Sequence, residues 1–164
     1  PFVNWSKLVI SKVIYVSMWI VIPMVFTDLA WYKVLIGFLI MHYVAGLILS
    51  VVFQLAHVMP NTEMPLPDVD GNMKNTWAIH QLFTTSNFSP KSWLAEFYTG
   101  GLNRQVEHHL FAHISHVHYK NIAKIVKDTA HEFSLPYNEY NSIWKAIGEH
   151  YQQLKMLGQK PNMA

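Results

Sequence analysis

Two long apolar stretches near the N-terminus constrain the fold of this chain more than any other feature. Residues 8–26 are apolar around the whole helical circumference, with Lys12 near one end and Pro23 near the other, and residues 34–56 carry no formal charge. Because about 20 helical residues cross the ~30 Å hydrocarbon layer, the second stretch is long enough to span a membrane. The first is also long enough if Lys12 extends to the interface. The alternative is two buried helices of a large soluble core, for which 23 uncharged residues are long.

The short segment between the two stretches predicts a helical hairpin whose outer ends lie on one side of the membrane. This segment, residues 27–33, contains Trp31 and Tyr32, which suit the far interface. Basic residues are more numerous beside the outer ends than at the tip, so the positive-inside rule places the outer ends in the cytoplasm. The residues compared are Lys7, Lys12, Lys74, Lys91 and Arg104 against Lys33, which lies beside Asp28 at the tip.

The remainder of the chain reads as a helical region outside the membrane. Residues 59–75 contain three prolines and a glycine and predict an irregular loop. Short helices are expected at residues 76–88 and 92–98, followed by amphipathic helices whose apolar positions lie at residues 122–133 and 144–154. The predicted fold is therefore all-α, with a transmembrane hairpin at residues 1–57 and a cytoplasmic helical region at residues 58–164.

The composition excludes several kinds of site and partner. A formal net charge of +2 without a basic run argues against nucleic acid as a partner. The absence of cysteine excludes disulfides and thiolate metal sites within this sequence. A transition metal would therefore be held by imidazole, carboxylate or water.

Half of the ten histidines fall in one segment, GGLNRQVEHHLFAHISHVHY at residues 100–119. Three of them follow i, i+4, i+7 spacing and would share one face of a continuous helix. The zincin pattern and the Glu-x-x-His di-iron pattern are both missing. Spacing alone therefore leaves metal binding and ordinary solvated or hydrogen-bonded histidines both open. The five are His108, His109, His113, His116 and His118, and the spaced three are His109, His113 and His116.

Residues 105–111, QVEHHLF, resemble the third histidine box of membrane fatty acid desaturases. With GGLN before it and ISHVHY after it, the segment is most similar to the front-end branch, in which glutamine opens a Q-x-x-H-H box. FQLAHV at residues 53–58 and WAIHQLFTTSNF at residues 77–88 resemble the same branch, particularly bacterial linoleoyl-CoA-desaturase-like proteins. This resemblance runs over residues 35–137. It implies a non-haem di-iron enzyme, with O2 as co-substrate, that inserts a double bond into a fatty acyl chain at the cytoplasmic face of a four-span bundle.

The resemblance also implies which residues would serve the metal. His57, His108 and His109 match ligand positions, and no catalytic group beyond the metal ligands is expected here. Gln105 stands where other desaturases have the first histidine of the box, and we expect it to support the site or position substrate. The same supporting role is expected for His80, Glu107 and Asn103. Candidates to accept a ring proton from a ligand histidine are Glu107, Asn103 and Asn87.

The sequence departs from the family pattern in two ways. The family usually continues H-H-L-F-P, and Ala112 replaces that proline, so the helix after the box is free to continue. The H-x-x-x-H and H-x-x-H-H boxes of the first half are missing. Together with the non-methionine first residue Pro1, this predicts a C-terminal half that is inactive alone. Its expected partners are the N-terminal half of the same enzyme, a fatty acyl substrate, membrane lipid, and an electron donor of ferredoxin or cytochrome b5 type.

Three other interpretations of the histidines stay open. A membrane di-iron lipid hydroxylase shares the histidine boxes, a histidine-rich membrane protein could bind zinc without redox chemistry, and an interaction module could bind no metal. Elsewhere, His42 lies mid-span and is expected to pack in the bundle beside a hydrogen-bonding neighbour. His131 and His150 are expected to be solvated.

Overall fold

The computed structural model of the protein describes residues 2–159, so the last five residues of the predicted cytoplasmic region lie outside it. It is mostly helical, at 67%. The chain forms two compact units, Pro1–Leu49 and Ser50–Ala164. The division between these compact units falls inside a long helix, because the final turns of that helix pack into the second unit. The boundary after His57, between membrane hairpin and cytoplasmic region, stays a prediction.

The first unit contains two apolar helical stretches. Helix α1 (Phe2–Val16) continues through a wider π-helical turn, Ser17–Val21, into α2 (Ile22–Phe26), and α3 (Trp31–His57) follows after a short link. The wide turn ends two residues before Pro23, which lacks an N–H and so removes a helical hydrogen bond. Both Asn4–Phe26 and Trp31–His57 are long and apolar enough to cross a membrane. Almost none of their most apolar segments is buried, at 0% and 6%, which is not the pattern of core helices in a soluble protein.

A polar contact joins the two stretches within this unit. The hydroxyl of Tyr15 hydrogen-bonds to Nε2 of His42, whose Nδ1 lies 2.8 Å from the carbonyl oxygen of Phe38. His42 therefore has the hydrogen-bonding neighbour that the sequence led us to expect.

The second unit consists of short helices and one strand pair. Its helices are α4 (Trp77–Thr84), α5 (Trp93–Thr99), α6 (Gln105–Leu110), α7 (Tyr119–Glu132) and α8 (Ile143–Gln159), and a 3₁₀ turn spans His116–His118. Ser92 caps α5 by accepting a hydrogen bond from the Ala95 amide at 3.2 Å. The segment between α3 and α4 is irregular, as its prolines predicted.

A parallel strand pair at the centre of this unit corrects the all-α prediction. Strand β1 (Ser86–Phe88) pairs with β2 (Asn138–Tyr140), with Ser86 opposite Asn138, and β1 is buried throughout. The sequences SNF and NEY are too short and too polar to show the alternation by which strands are recognised. Their pairing depends on residues about fifty positions apart, which no local pattern contains.

The helix of the histidine box is shorter than its sequence allows. It ends at Leu110 although Ala112 replaces the expected proline, and the Phe111 backbone leaves helical geometry. Leu110 and Phe111 instead pack against the apolar cluster of Leu82, Val106, Val126 and Ala130. The continuous helix that would place His109, His113 and His116 on one face therefore does not form.

Two glycines before α6 shape the approach to the box. Gly100 and Gly101 have φ values of +59° and +80°, which glycine adopts without strain. A Cβ on Gly101 would lie 2.7 Å from the Cβ of His116, so the 3₁₀ turn closes directly over this position.

The amphipathic helices bury some of their expected apolar positions, including Val126 and Ala130, and leave others exposed. On α7 the buried residues are Tyr119, Ala123, Val126 and Ala130, whereas Ile125 and Phe133 are 66% and 67% exposed. Val126 and Ala130 pack in one apolar cluster with Val106 of α6. On α8, Trp144 and Tyr151 are exposed. His150 is half-buried, with Nδ1 2.8 Å from the Val58 carbonyl oxygen, so its predicted solvation was wrong.

Candidate metal centre

A histidine at the end of α3 lies beside two consecutive histidines of α6 in the second unit. His57 is the last residue of α3, and His108 and His109 occupy the last turn of α6. The ring centroids of His57 and His109 are 4.9 Å apart, and those of His108 and His109 are 5.7 Å apart. The structure thus brings together the three residues that the sequence singled out as metal ligands.

Each of these rings is oriented by a hydrogen bond at Nδ1. The partner atoms are Oε1 of Gln81 for His109 at 2.8 Å, the carbonyl oxygen of Thr84 for His57 at 3.3 Å, and the hydroxyl of Tyr119 for His108 at 3.3 Å. Amide and carbonyl oxygens only accept, so Nδ1 of His57 and His109 carries the proton. The lone pair at Nε2 is then available, and no hydrogen bond engages Nε2 of these rings within residues 2–159.

The electrostatic surroundings favour a neutral His109. Burial, together with the smaller effects of the nearby rings of His57 and His108, lowers its pKa to about 4. An imidazole must be neutral to bind a metal, so His109 is in the ligating form at neutral pH.

The acceptors of the ring protons differ from the candidates named from the sequence. Glu107 faces away from the rings and into a buried cluster. There, Nδ2 of Asn87 donates to its Oε2 at 2.9 Å and the hydroxyl of Tyr137 donates to its Oε1 at 2.8 Å. Burial raises the pKa of Glu107, against the opposing effect of these two hydrogen bonds. Oδ1 of Asn87 accepts from the Val106 amide at 2.9 Å, so this cluster fixes the start of α6 to β1.

Asn103 also serves the backbone rather than the rings. Its side-chain Nδ2 donates to the carbonyl oxygen of Ser89 at 3.2 Å, and its backbone N–H donates to the Thr99 hydroxyl at 3.1 Å. The Asn103 carbonyl in turn accepts from the Phe88 amide. It therefore holds the turn between α5 and α6 against β1.

Gln105 is the most unusual polar residue of the region. It is fully buried, yet neither its amide nitrogen nor its amide oxygen has a hydrogen-bond partner in the described chain. An unsatisfied buried polar group costs about 1–3 kcal/mol, so such groups call for a functional explanation.

The other histidines take different positions. His80 on α4 lines an open depression of about 310 Å³ together with His57, Glu63 and Thr84. Within residues 2–159 no three histidine, aspartate or glutamate side chains surround a single point closely enough to enclose a metal by themselves. The rings of His57, His108 and His109 are therefore neighbours that do not enclose a metal position by themselves.

An apolar cavity adjoins the histidine-bearing helix. It has a volume of about 490 Å³ and lies between α4, α6 and α7, where Ile79, Leu110 and Val126 contribute to an almost wholly aliphatic lining. Leu110 lines the cavity and directly follows His109 in the chain, so the cavity lies next to the histidine box.

Four contact residues of this region were not found from the sequence. Gln81, Thr84 and Tyr119 orient the rings, and Tyr137 binds Glu107. Gln81 and Thr84 lie within the segment WAIHQLFTTSNF, so its resemblance to desaturases was the signal that pointed to this region. Tyr119 ends the segment ISHVHY, which belongs to the same resemblance, whereas Tyr137 lies outside the quoted motifs.

The known proteins that this chain resembles include several desaturases. The chain is 38% identical over 148 residues to an acyl-lipid (8-3)-desaturase of Physcomitrium patens, covering 90% of this chain and 31% of the relative. It is 39% identical over 127 residues to an sn-1 linoleoyl-lipid 6-desaturase of Synechocystis, covering 77% and 35%. An acyl-lipid (8-3)-desaturase of Mortierella alpina is 33% identical over 163 residues, covering 98% and 36%.

The chain thus spans about a third of the length of these relatives. No solved structure matches it. The sequence profile described as "Fatty acid desaturase" matches residues 2–141, which is most of the chain. On this match, and on relatives that align with 77% to 98% of the chain, the protein belongs to the fatty acid desaturase family.

Proposed function

We propose that this chain is the C-terminal part of a membrane di-iron desaturase, in which His57, His108 and His109 bind iron. The observation that carries the proposal is the set of three adjacent rings, each hydrogen-bonded at Nδ1. Bound iron would supply the oxidising power, drawn from O2 and two electrons, that removes hydrogen from an unactivated C–H bond.

The donor set fits iron. Neutral imidazole is a common ligand for this metal, and a hydrogen bond at the opposite ring nitrogen fixes both the tautomer and the ring orientation. Three imidazoles are too few for two metal ions, so the remaining ligands are proposed to come from the N-terminal half of the enzyme. The unsatisfied amide of Gln105 supports a further polar partner at this place, supplied by substrate or by the rest of the enzyme.

The apolar cavity beside the box suits the proposed substrate. The cavity volume of about 490 Å³ is in the range of small-molecule sites, and its aliphatic lining would exclude water from an acyl chain. The matched relatives from Physcomitrium and Synechocystis are named for acyl-lipid and linoleoyl-lipid substrates. We therefore propose a lipid-linked fatty acyl chain as substrate and an electron donor of ferredoxin or cytochrome b5 type.

The decisive experiment is product analysis of the complete enzyme. Purified full-length protein, given an acyl lipid, an electron donor and O2, should form a product with one additional double bond. Residues 1–164 alone should form none, because only three of the proposed ligands are present. A hydroxylated product would identify a hydroxylase instead. Purification of the protein with bound zinc and without iron would contradict the proposed redox function.

The two apolar helices are proposed to form a membrane hairpin with the histidine box on the cytoplasmic side. Their exposed apolar surfaces and the short link between them support this arrangement. Since residues 1–164 contain no cysteine, single cysteines can be introduced at Asn4, Asp28 and Asp128 and labelled in intact vesicles. Asn4 and Asp128 should react from the cytoplasmic side and Asp28 from the opposite side. Equal reactivity of all three would exclude the hairpin.

A further inference from the structure

Five of the twelve basic residues of this chain line a single pocket. The pocket has a volume of about 430 Å³ and lies in the second unit between the turn before α5, the start of α6, the helix α7 and strand β2. One carboxylate also lines it. The basic residues are Lys91, Arg104, Lys120, Lys124 and Lys127, and the acidic residue is Glu139.

Three of these cations share one face of α7. Lys120, Lys124 and Lys127 follow i, i+4, i+7 spacing, so their side chains project over the same surface. Like charges at such spacing repel one another and destabilise a helix. Helix stability therefore does not explain the cluster, whereas an anion bound between the side chains would relieve the repulsion.

The pocket is poorly neutralised by the protein itself. Lys127 is paired with Glu139, with 2.6 Å between Nζ and Oε1. Lys91, Lys120 and Lys124 form no ion pair with any residue in the range 2–159. An excess of positive charge consequently faces the pocket.

Arg104 places a buried guanidinium in the wall of this pocket. The residue is only 5% exposed, its Nη2 donates to the carbonyl oxygen of Pro90, and the nearest carboxylate, on Glu96, is 4.0 Å from Nη2. Its Nε has no acceptor among the described residues. Arginine is seldom buried with an incomplete set of partners, so Arg104 indicates that the surroundings are completed by an anion.

We propose that this pocket binds a phosphate group. Arginine and lysine together recognise phosphate through charge-assisted hydrogen bonds. A concave site with a buried guanidinium in its wall suits a small anion better than the face of an acidic protein, which would meet only the exposed lysines. The phosphate comes either from a lipid headgroup or from a soluble phosphate ester, and both present the same oxygen atoms.

This site goes beyond the proposed desaturase function and is tested separately from it. None of its lining residues is a proposed iron ligand. Lysine variants should leave the iron content unchanged, so loss of phosphate binding and loss of the metal centre are distinguishable results.

The test is calorimetric titration of the full-length protein purified in neutral detergent. The probes are inorganic phosphate, short-chain phosphatidic acid, and the matching diacylglycerol, which lacks the phosphate. The variant K120A/K124A removes two exposed lysines without disturbing buried Arg104. The control K145A/K155A makes the same charge change on α8, where neither lysine lines the pocket.

Phosphatidic acid should bind saturably, diacylglycerol should not displace it, and K120A/K124A should weaken binding about tenfold or more. Comparable binding of inorganic phosphate would support a site that recognises the phosphate group alone. Binding of phosphatidic acid only would support a lipid headgroup as the source of the phosphate. Equal weakening by K145A/K155A, or no saturable binding of either phosphate probe, would overturn the proposal.

Discussion

Alanine at His108 or His109 is expected to abolish product formation by the full-length enzyme and to lower its iron content, with the fold retained. Each substitution removes an imidazole whose Nδ1 is already hydrogen-bonded and whose Nε2 is available for a metal. No other side chain of α6 can take its place, because the helix ends at Leu110. His57→Ala should behave in the same way. Iron per protein and product yield are the measurements, and the circular dichroism spectrum reports the fold.

A graded series separates ligands from supporting residues. Gln81→Ala removes the hydrogen-bond partner of His109 and should weaken iron binding about 10- to 100-fold without eliminating it. His116→Ala and His118→Ala, in the exposed 3₁₀ turn, are the controls and should keep iron near the wild-type level. Iron lost in His116→Ala but retained in His108→Ala would show that the wrong half of the cluster had been assigned to the metal.

Asn87→Leu is expected to destabilise the second unit by about 3 kcal/mol or more. The Asn87 amide donates to Glu107 and to the hydroxyl of Tyr137, and it accepts from the backbone amide of Val106. Leucine has a similar size but offers no hydrogen bond, so a buried carboxyl group and a buried amide would each lose a partner. The free energy of unfolding, measured with denaturant in detergent, gives the loss directly.

The matched control is Asn121→Leu, at an exposed position of α7, where a change within about 0.5 kcal/mol is expected. Tyr137→Phe removes one donor to Glu107 and should have an intermediate effect of about 1–2 kcal/mol. If Asn87→Leu proved no more destabilising than Asn121→Leu, the buried cluster would not be what holds α6 against β1.

Local features of the sequence were sufficient for the apolar helices and for the histidine pair. Hydrophobicity and length are properties of a continuous segment, so residues 34–56 indicated a long apolar helix without reference to any other part of the chain. Short motifs are equally local, and the Q-x-x-H-H box with its GGLN lead pointed to the desaturase family that the comparisons establish. The loop after His57 followed from its prolines in the same way.

The tertiary structure alone decided which atoms surround the histidines. His109 meets Gln81 across 28 positions, and Asn87 meets Tyr137 across 50. The pairing of β1 with β2 and the end of α6 at Leu110 likewise depend on packing between distant segments. Each of these contacts forms because the folded chain must bury apolar side chains and satisfy buried polar groups at the same time. That joint requirement acts on residues brought together from distant parts of the chain, so no local pattern in the sequence predicts it.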